Sequence, residues 1–242
     1  MVKLDKNKSS SKDLSVVMPV CNEDQNLEIL CKEIVSVLEK LDLNFEIIFV
    51  EDGSKDASYD ILLKLKKRFK QVLLVKHKRR YGQSRALSTG INFSTGRIVV
   101  TMDSDLQNNP EDIPLFIDKI KEGHDMVCGW RENRKDPYLT KVLPSKVGNK
   151  ILSRLSGVKL HDYSCTFKAF QNNAAKKVAQ KLDNGFHRFI PLLGKKMGFD
   201  ICEIKISHRP RIYGKSKYNL CKYVKIFFDF FVINFTHKNE KN

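Results

Sequence analysis

No stretch of this chain is long and apolar enough to cross a bilayer. The most apolar late run, Val224 to Phe235, is about 12 residues and carries Lys225, Asp229 and Asn234, against the roughly 20 apolar residues that a helical span requires. The N-terminal MVKLDKNKSSSKD is polar and lacks the apolar centre of a secretory signal, so residues 1–13 are expected to be a disordered tail and the fold to begin near Leu14. The six cysteines, Cys21, Cys31, Cys128, Cys165, Cys202 and Cys221, form no CxxC pair and have no histidine at zinc spacing. That predicts reduced, mostly buried thiols in a cytosolic protein, without a zinc module or a disulfide framework. No GxGxxG follows the first apolar run, which argues against a dinucleotide-binding enzyme. Acidic residues are scarce as well: 28 stand against 44 lysines and arginines, for a net charge of +16. The partners are therefore expected to be anionic, whether nucleic acid, phosphorylated small molecules or an acidic membrane face.

What the chain does have is alternation. Hydrophobic residues make up 41% of it, enough for a packed core. Leu14 to Val20 reads as a strand, and Leu27, Leu30, Ile34, Leu38 and Leu41 then recur at helical spacing. The unit repeats: Phe45 to Val50 precedes a helix over 57–68, Val72 to Val75 precedes one over 84–93, and the run from Ile98 precedes one over 110–122. A short strand follows at Asp125 to Gly129. Strands alternating with helices and no hairpin signals predict an α/β domain with a mainly parallel sheet sandwiched by helices. From Arg131 onward the rhythm breaks. A charged loop, a helix over 143–156, a strand within GVKLHDYSCTFKAF, a helix over 172–181, the amphipathic GFHRFIPLLGKKMG and a strand over 201–206 are expected. With no repeat and no linker, residues 14–218 read as one domain, with a nucleotide half over 14–130 and an acceptor half over 131–218. Residues 219–242 are expected to form an amphipathic helix and tail.

The densest functional signal is Ile98 to Pro110, IVVTMDSDLQNNP. A β-branched run stops on Asp103 and Asp105, and in an extended chain side chains at i and i+2 point the same way. Asp103 and Asp105, with Gln107 if the extension continues, would offer oxygen ligands to one hard cation, magnesium or manganese. Polar clusters also follow the other strands: Pro19, Asn22 and Glu23; Glu51, Asp52 and Gly53; Tyr81, Gly82 and Gln83; and Arg131. All fall at carboxyl ends of strands, the edge where open α/β sheets bind ligands.

Together VVMPVCNEDQNL, IIFVEDGSKD, YGQSRAL, MDSDLQNNPE, the GWRENRKDP loop, HDYSCTFKAF, FHRFIP and HRPRIYGKSKY resemble inverting family 2 glycosyltransferases of the GT-A (Rossmann-like) fold, in the dolichol-phosphate mannose synthase-like, polyprenyl-phosphate branch. The resemblance covers about residues 14–218, with the motifs in family order. It implies that Pro19, Cys21 and Glu23 begin the nucleotide pocket, Cys21 standing where many members carry an aromatic residue. It implies that Val50 and Asp52 read the base and ribose, that Asp103, Ser104, Asp105 and Gln107 form the metal and diphosphate motif, and that Arg131, Arg211 and Lys217 hold the phosphates of a UDP- or GDP-sugar.

The chemistry agrees. Expelling a nucleoside diphosphate from an anomeric carbon builds negative charge on the leaving group, so a divalent cation and cationic side chains must face it. Arg131 is counted with Asp105 and Asp162 as catalytic. A polyprenyl phosphate acceptor is already anionic at neutral pH, since the second pKa of a phosphate monoester lies near 6. Asp162 would then position substrate; for a saccharide hydroxyl acceptor it would be the base. Arg134, His187 and Arg188 are the candidates for holding the lipid phosphate. The terminal helix, with Ile226, Phe227, Phe230, Phe231 and Phe235 on one face, would lie in the bilayer interface or pack on protein. The expectation is a peripheral enzyme at the cytosolic face of an anionic membrane, with a homo-oligomer or a membrane partner subunit left open. Three readings compete. A nucleic-acid-binding module lacks basic and aromatic residues interleaved on a strand, and no helix-turn-helix spacing appears. A nucleotidyltransferase would share the sheet and the carboxylates but release pyrophosphate. A processive polysaccharide synthase lacks its QxxRW-type motif.

Overall fold

The computed structural model describes residues 12–132, 148–149, 153–154, 157–182 and 186–213. Strand β1 (Leu14–Val20) leads into α1 (Asp24–Glu39), β2 (Phe45–Glu51) into α2 (Ser58–Arg68) and β3 (Val72–Lys76) into α3 (Gln83–Phe93). Then come β4 (Ile98–Thr101), a 3₁₀ turn at Pro110–Asp112 with α4 (Ile113–Lys121), and β5 (Met126–Trp130). Strand β6 (Lys168–Gln171), α5 (Asn172–Gln180), a second 3₁₀ turn at Phe186–Phe189, α6 (Ile190–Lys196) and β7 (Ile201–Lys205) complete the described elements. The helices expected over 143–156 and 219–242 fall wholly or mostly outside the described residues. Pro110 splits the helix expected over 110–122: Asn109 accepts a hydrogen bond from the Glu111 amide and caps a 3₁₀ turn, and the α-helix starts at Ile113.

The seven strands form one sheet in the order β3-β2-β1-β4-β6-β5-β7. β1 pairs parallel with β2 and β4, β2 with β3, and β5 with β7, while β6 runs antiparallel between β4 and β5. The reversed strand matters for the site. Carboxyl ends of all the other strands gather on one edge, and the amino end of β6 is delivered to that same edge with the residues preceding it.

Two apolar layers cover the sheet, assigned by the period of two along each strand. Val16, Met18, Ile47, Phe49 and Val100 face α1, α2 and α4. Val17, Ile48, Val50 and Val99 face α3 and α5. Helix α3 lies close against the sheet because Gly90 has no side chain: a Cβ there would stand 2.4 Å from Val17 Cγ1 and 3.0 Å from Val50 Cγ2. Cys31, Cys128 and Cys165 are buried and no described cysteine is in a disulfide. Burial pushes the Cys31 and Cys128 thiols up to about 12, far from the reactive thiolate.

Candidate active site

Strand β4 ends at Thr101, so the extension that would have aligned Asp103, Asp105 and Gln107 stops short of them. Convergence is reached differently. Leu106 takes a left-handed backbone, φ 63°, a conformation unfavourable for a residue with a branched side chain, and it places its own side chain in the core. That turn brings Asp105 and Gln107 to one point. Asp105 Oδ2 and Gln107 Oε1 accept hydrogen bonds from the same atom, Arg211 Nη2, at 2.5 and 3.0 Å. Two oxygen donors around one cationic nitrogen are a fitting donor set for a hard divalent ion. Among the described residues no three His, Cys, Asp or Glu side chains converge as a metal cluster. An ion here would have two carboxylates and an amide oxygen at most, completed by substrate phosphate and water, as suits magnesium or manganese.

Asp103 is held more tightly. Its Oδ1 accepts from Gln83 Nε2 at 2.8 Å, its Oδ2 accepts from the Thr166 hydroxyl, and its amide donates to Asn108 Oδ1 at 3.2 Å. Loss of water around the carboxyl, followed by repulsion from Asp105, pushes its pKa up to about 6, with Thr166, Arg131 and Arg211 opposing. Burial, more than its acidic neighbour, thus disfavours the ionised form of Asp103. Ser104 spends its hydroxyl on the Pro19 carbonyl, at 2.9 Å, tying this turn to the end of β1.

Arg211 arrives on a segment zipped along the same turn. His208 bridges to Asn108, the Arg209 amide donates to the Gln107 carbonyl at 2.9 Å, and Asp112 accepts from the Ser207 amide and hydroxyl, each at 2.9 Å. The Arg209 guanidinium then reaches Glu33 on α1 at 2.7 Å and Asn109 at 2.5 Å.

The residues before β6 build the neighbouring pair. Asp162 is 3% exposed, and Arg131 grips it with Nε to Oδ2 at 2.7 Å and Nη2 to Oδ1 at 3.0 Å. Arg131 Nη2 also donates to Ser164 Oγ at 3.1 Å. Burial is the largest influence and works against the Arg131 charge, but Asp162, with Cys165 and Asp103 adding to it, holds the guanidinium pKa above its ordinary value. Glu203 on β7 sets the peptide carrying the pair: its carboxylate accepts from the His161 amide at 2.9 Å and the Asp162 amide at 3.0 Å, and bonds His161 Nδ1 at 2.7 Å. The His161 ring stacks on Trp130, with centroids 4.0 Å apart.

Asp52 lies at the end of β2 and its oxygens are occupied by the loop after β3. Oδ1 accepts from the Tyr81 amide at 2.7 Å and bonds His77 Nδ1 at 2.8 Å, and Oδ2 accepts from the Gly82 amide at 2.7 Å. Gly53 permits this closeness, because its φ is +68° and a Cβ would meet Arg80 N at 2.5 Å. The Val50 side chain is fully buried beneath α3, since alternate residues of β2 face opposite layers, so only its backbone is left to meet a ligand at this edge. Glu23 is half-buried with Oε2 accepting from Asn26 at 2.7 Å, and Cys21 and Pro19 are half-buried beside it. His187 is tied to the start of α3, Nδ1 to Ser84 Oγ at 2.7 Å and its amide to the same oxygen at 3.1 Å. Arg188 follows it, half-buried, in the same turn. Arg134 and Lys217 lie outside the described residues.

Gln83, read from the sequence only as part of a strand-end cluster, is joined by Ser84, Thr166 and Glu203, to which sequence reasoning gave no place in the site. The signal was present for three of them: Gln83 and Ser84 in YGQSRAL, and Thr166 in HDYSCTFKAF. A cleft of about 530 Å³ between Leu14, Ile98, Ile117 and Arg97 lies at the amino ends of β1 and β4, opposite the edge that carries these groups.

A parallel-type sheet with a two-carboxylate turn at the end of its fourth strand and cations brought in from later segments defines a GT-A-type glycosyltransferase fold. The comparisons place the chain within that class. Residues 15–179 match the family described as Glycosyl transferase family 2, and the chain belongs to it. It is 35% identical over 229 residues to dodecaprenyl-phosphate galacturonate synthase of Rhizobium johnstonii, covering 93% of this chain and 67% of that protein. It is also 35% identical over 217 residues to undecaprenyl-phosphate 4-deoxy-4-formamido-L-arabinose transferase of Pseudomonas paraeruginosa, covering 89% and 63%. The matched region spans about two thirds of the length of these relatives. Among solved structures, glucosyl-3-phosphoglycerate synthase from Mycobacterium tuberculosis, in complex with Mn2+, UDP and glucosyl-3-phosphoglycerate, shares the fold. Its TM-score is 0.58 at 18% identity, over 84% of this chain and 74% of that one.

Proposed function

We propose that this protein is an inverting glycosyltransferase that moves a sugar from a UDP- or GDP-sugar to a polyprenyl phosphate, dolichyl or undecaprenyl, with magnesium or manganese. The observation that carries the acceptor choice is the state of Asp162. A base must be open to the proton it takes, yet both oxygens of this carboxylate are engaged by Arg131 in a buried bidentate pair. A phosphate acceptor needs no such base, because it enters already ionised. The two relatives named for prenyl-phosphate acceptors support the same reading.

Asp105 and Gln107, with Asp103 behind them, would hold the metal, which when bound neutralises charge building on the departing diphosphate. Arg211 now rests on Asp105 and Gln107, within reach of whatever phosphate enters there, and on this reading it pairs with the donor diphosphate. Arg131 orients Asp162 and lends positive potential to the site. Asp52 shapes the donor side by fixing the Tyr81–Gly82 loop, and Glu23 and Cys21 line the rim of β1. His187 and Arg188, docked on α3 through Ser84, are placed for the acceptor phosphate. No helix among the described residues is long and apolar enough to cross a membrane, and acceptor delivery is assigned to an anionic bilayer surface. A panel of UDP- and GDP-sugars with each metal and a polyprenyl phosphate, scored for lipid-linked product, tests the reading. Release of pyrophosphate with formation of a new sugar nucleotide would overturn it.

A further inference from the structure

The positive charge of this protein is concentrated. From Ile61 to Met102 the chain carries six lysines, five arginines and no acidic residue, within a net charge of +16 for the whole. The fold turns that run into a face. Strand β3 is the edge of the sheet, α2 packs beside it, and Lys64, Lys66, Lys67 and Lys70 are all exposed on and just after α2. The face continues into the exposed Lys78-Arg79-Arg80 run, where Tyr81 is 49% exposed. Its upper end is the rim of the candidate site, because the Tyr81 and Gly82 amides are the ones that Asp52 holds. Neutralisation is slight: Asp60 stands exposed in the first turn of α2, and Glu28 of α1 meets Arg68 at 3.7 Å with both side chains more than half exposed.

We propose that this flank, α2 with the edge strand β3 and the loop after it, is the surface on which the protein docks to an anionic phospholipid bilayer. The inference rests on the lipid-phosphate reading above. Charge complementarity selects the partner: basic side chains near an anionic leaflet attract it additively, and the attraction fades within a Debye length. An aromatic residue at the end of such a face suits the headgroup level. Position links the surface to the site, since the loop that ends this flank runs into α3 at Gly82, and Ser84 in the first turn of that helix holds His187, read above as an acceptor-phosphate contact.

The test uses the full chain and sedimentation with vesicles of phosphatidylcholine alone or mixed with phosphatidylglycerol. The protein is expected to bind only the mixed vesicles, and less at high salt. Reversing Lys64, Lys66, Lys67 and Lys70 to Glu should weaken binding on the order of a hundredfold or more. Acidic residues are unfavourable in the last turn of a helix, so the quadruple Lys→Gln variant provides a second measure, with a loss of about tenfold or more expected. A control with Lys40, Lys121, Lys177 and Lys195 changed to Glu removes the same charge from outside this flank and should bind nearly as the parent does. Equal losses in flank and control variants, or none in the flank variants, would overturn the proposal. So would tighter binding of the parent to duplex nucleic acid than to mixed vesicles at equal salt. Calorimetric binding of nucleotide sugar with metal should be unchanged in the flank variants. Its absence from the parent would count against the proposed function, while vesicle binding alone judges the docking face.

Discussion

Two acidic centres lie on the same sheet edge, one in the turn after β4 and one in the segment before β6, and they differ in how far they are neutralised. Asp162 is cancelled: Arg131 meets both of its oxygens, Ser164 adds a donor, and Glu203 fixes the peptide that carries it. Arg211 meets Asp105 but not Asp103, whose oxygens accept only from the neutral Gln83 and Thr166 side chains, and the loss of water around Asp103 lifts its pKa to about 6. A carboxylate that is already paired has little capacity left for a proton or a cation. A carboxylate with no cationic partner beside one with a single guanidinium keeps that capacity, and a divalent ion is the group that would fill it. On the proposed function, the contrast gives the chemistry to the turn after β4 and positioning to the Arg131–Asp162 pair.

The strongest break would come from Asp105→Asn. Turnover with manganese or magnesium should fall by about a thousandfold, with circular dichroism and the urea midpoint preserved. A loss under about tenfold would remove the metal from the account. Next in size is Arg131→Met, which leaves a buried carboxylate without its partner and should cost about 3–5 kcal/mol in urea unfolding. Removing both charges, Arg131→Met with Asp162→Leu, should restore much of that stability, and a single variant as stable as the parent would show that the pair is not closed. Arg211→Ala should weaken nucleotide-sugar binding by about tenfold to a hundredfold, with stability nearly unchanged. If only acceptor affinity suffers, the donor-phosphate role is misplaced.

The smallest effect sharpens the comparison by pH. A carboxyl whose folded pKa of about 6 exceeds the ordinary 3.8 keeps its proton longer in the folded state than in the unfolded one. Stability from this group is therefore lost as pH rises from about 4 to about 6. Asp103→Asn should stabilise the metal-free protein by roughly 1–3 kcal/mol above pH 6 and leave it unchanged below pH 4, as followed by thermal unfolding. A gain that is constant across that range would mean Asp103 carries no charge penalty.

Legibility from the sequence followed contact range. Each strand and helix up to Trp130 was readable, because Leu27, Leu30, Ile34 and Leu38 or Val16 and Met18 show their period within one element. The reversal of β6 was not, since KAFQ pairs the same way on paper in either direction. The convergence of Asp105 and Gln107 was expected from an extended chain, whereas the fold achieves it through Leu106, whose burial overrides its backbone preference. Val50 carried a motif position but no information on which layer its side chain faces. Gln83 to Asp103, Ser84 to His187 and Glu203 to Asp162 span 20, 103 and 41 residues, and such pairings exist only once the sheet order is known.

The central claim is that the attacking group enters as an anion, so that Asp162 can remain locked to Arg131. Transfer to a polyprenyl phosphate should be compared directly with transfer to the matching polyprenol, using the same nucleotide sugar and metal, with products identified by mass spectrometry. The account predicts a lipid-phosphate-linked sugar from the first and no product from the second. Comparable transfer to the free hydroxyl would contradict it and would make Asp162 a base.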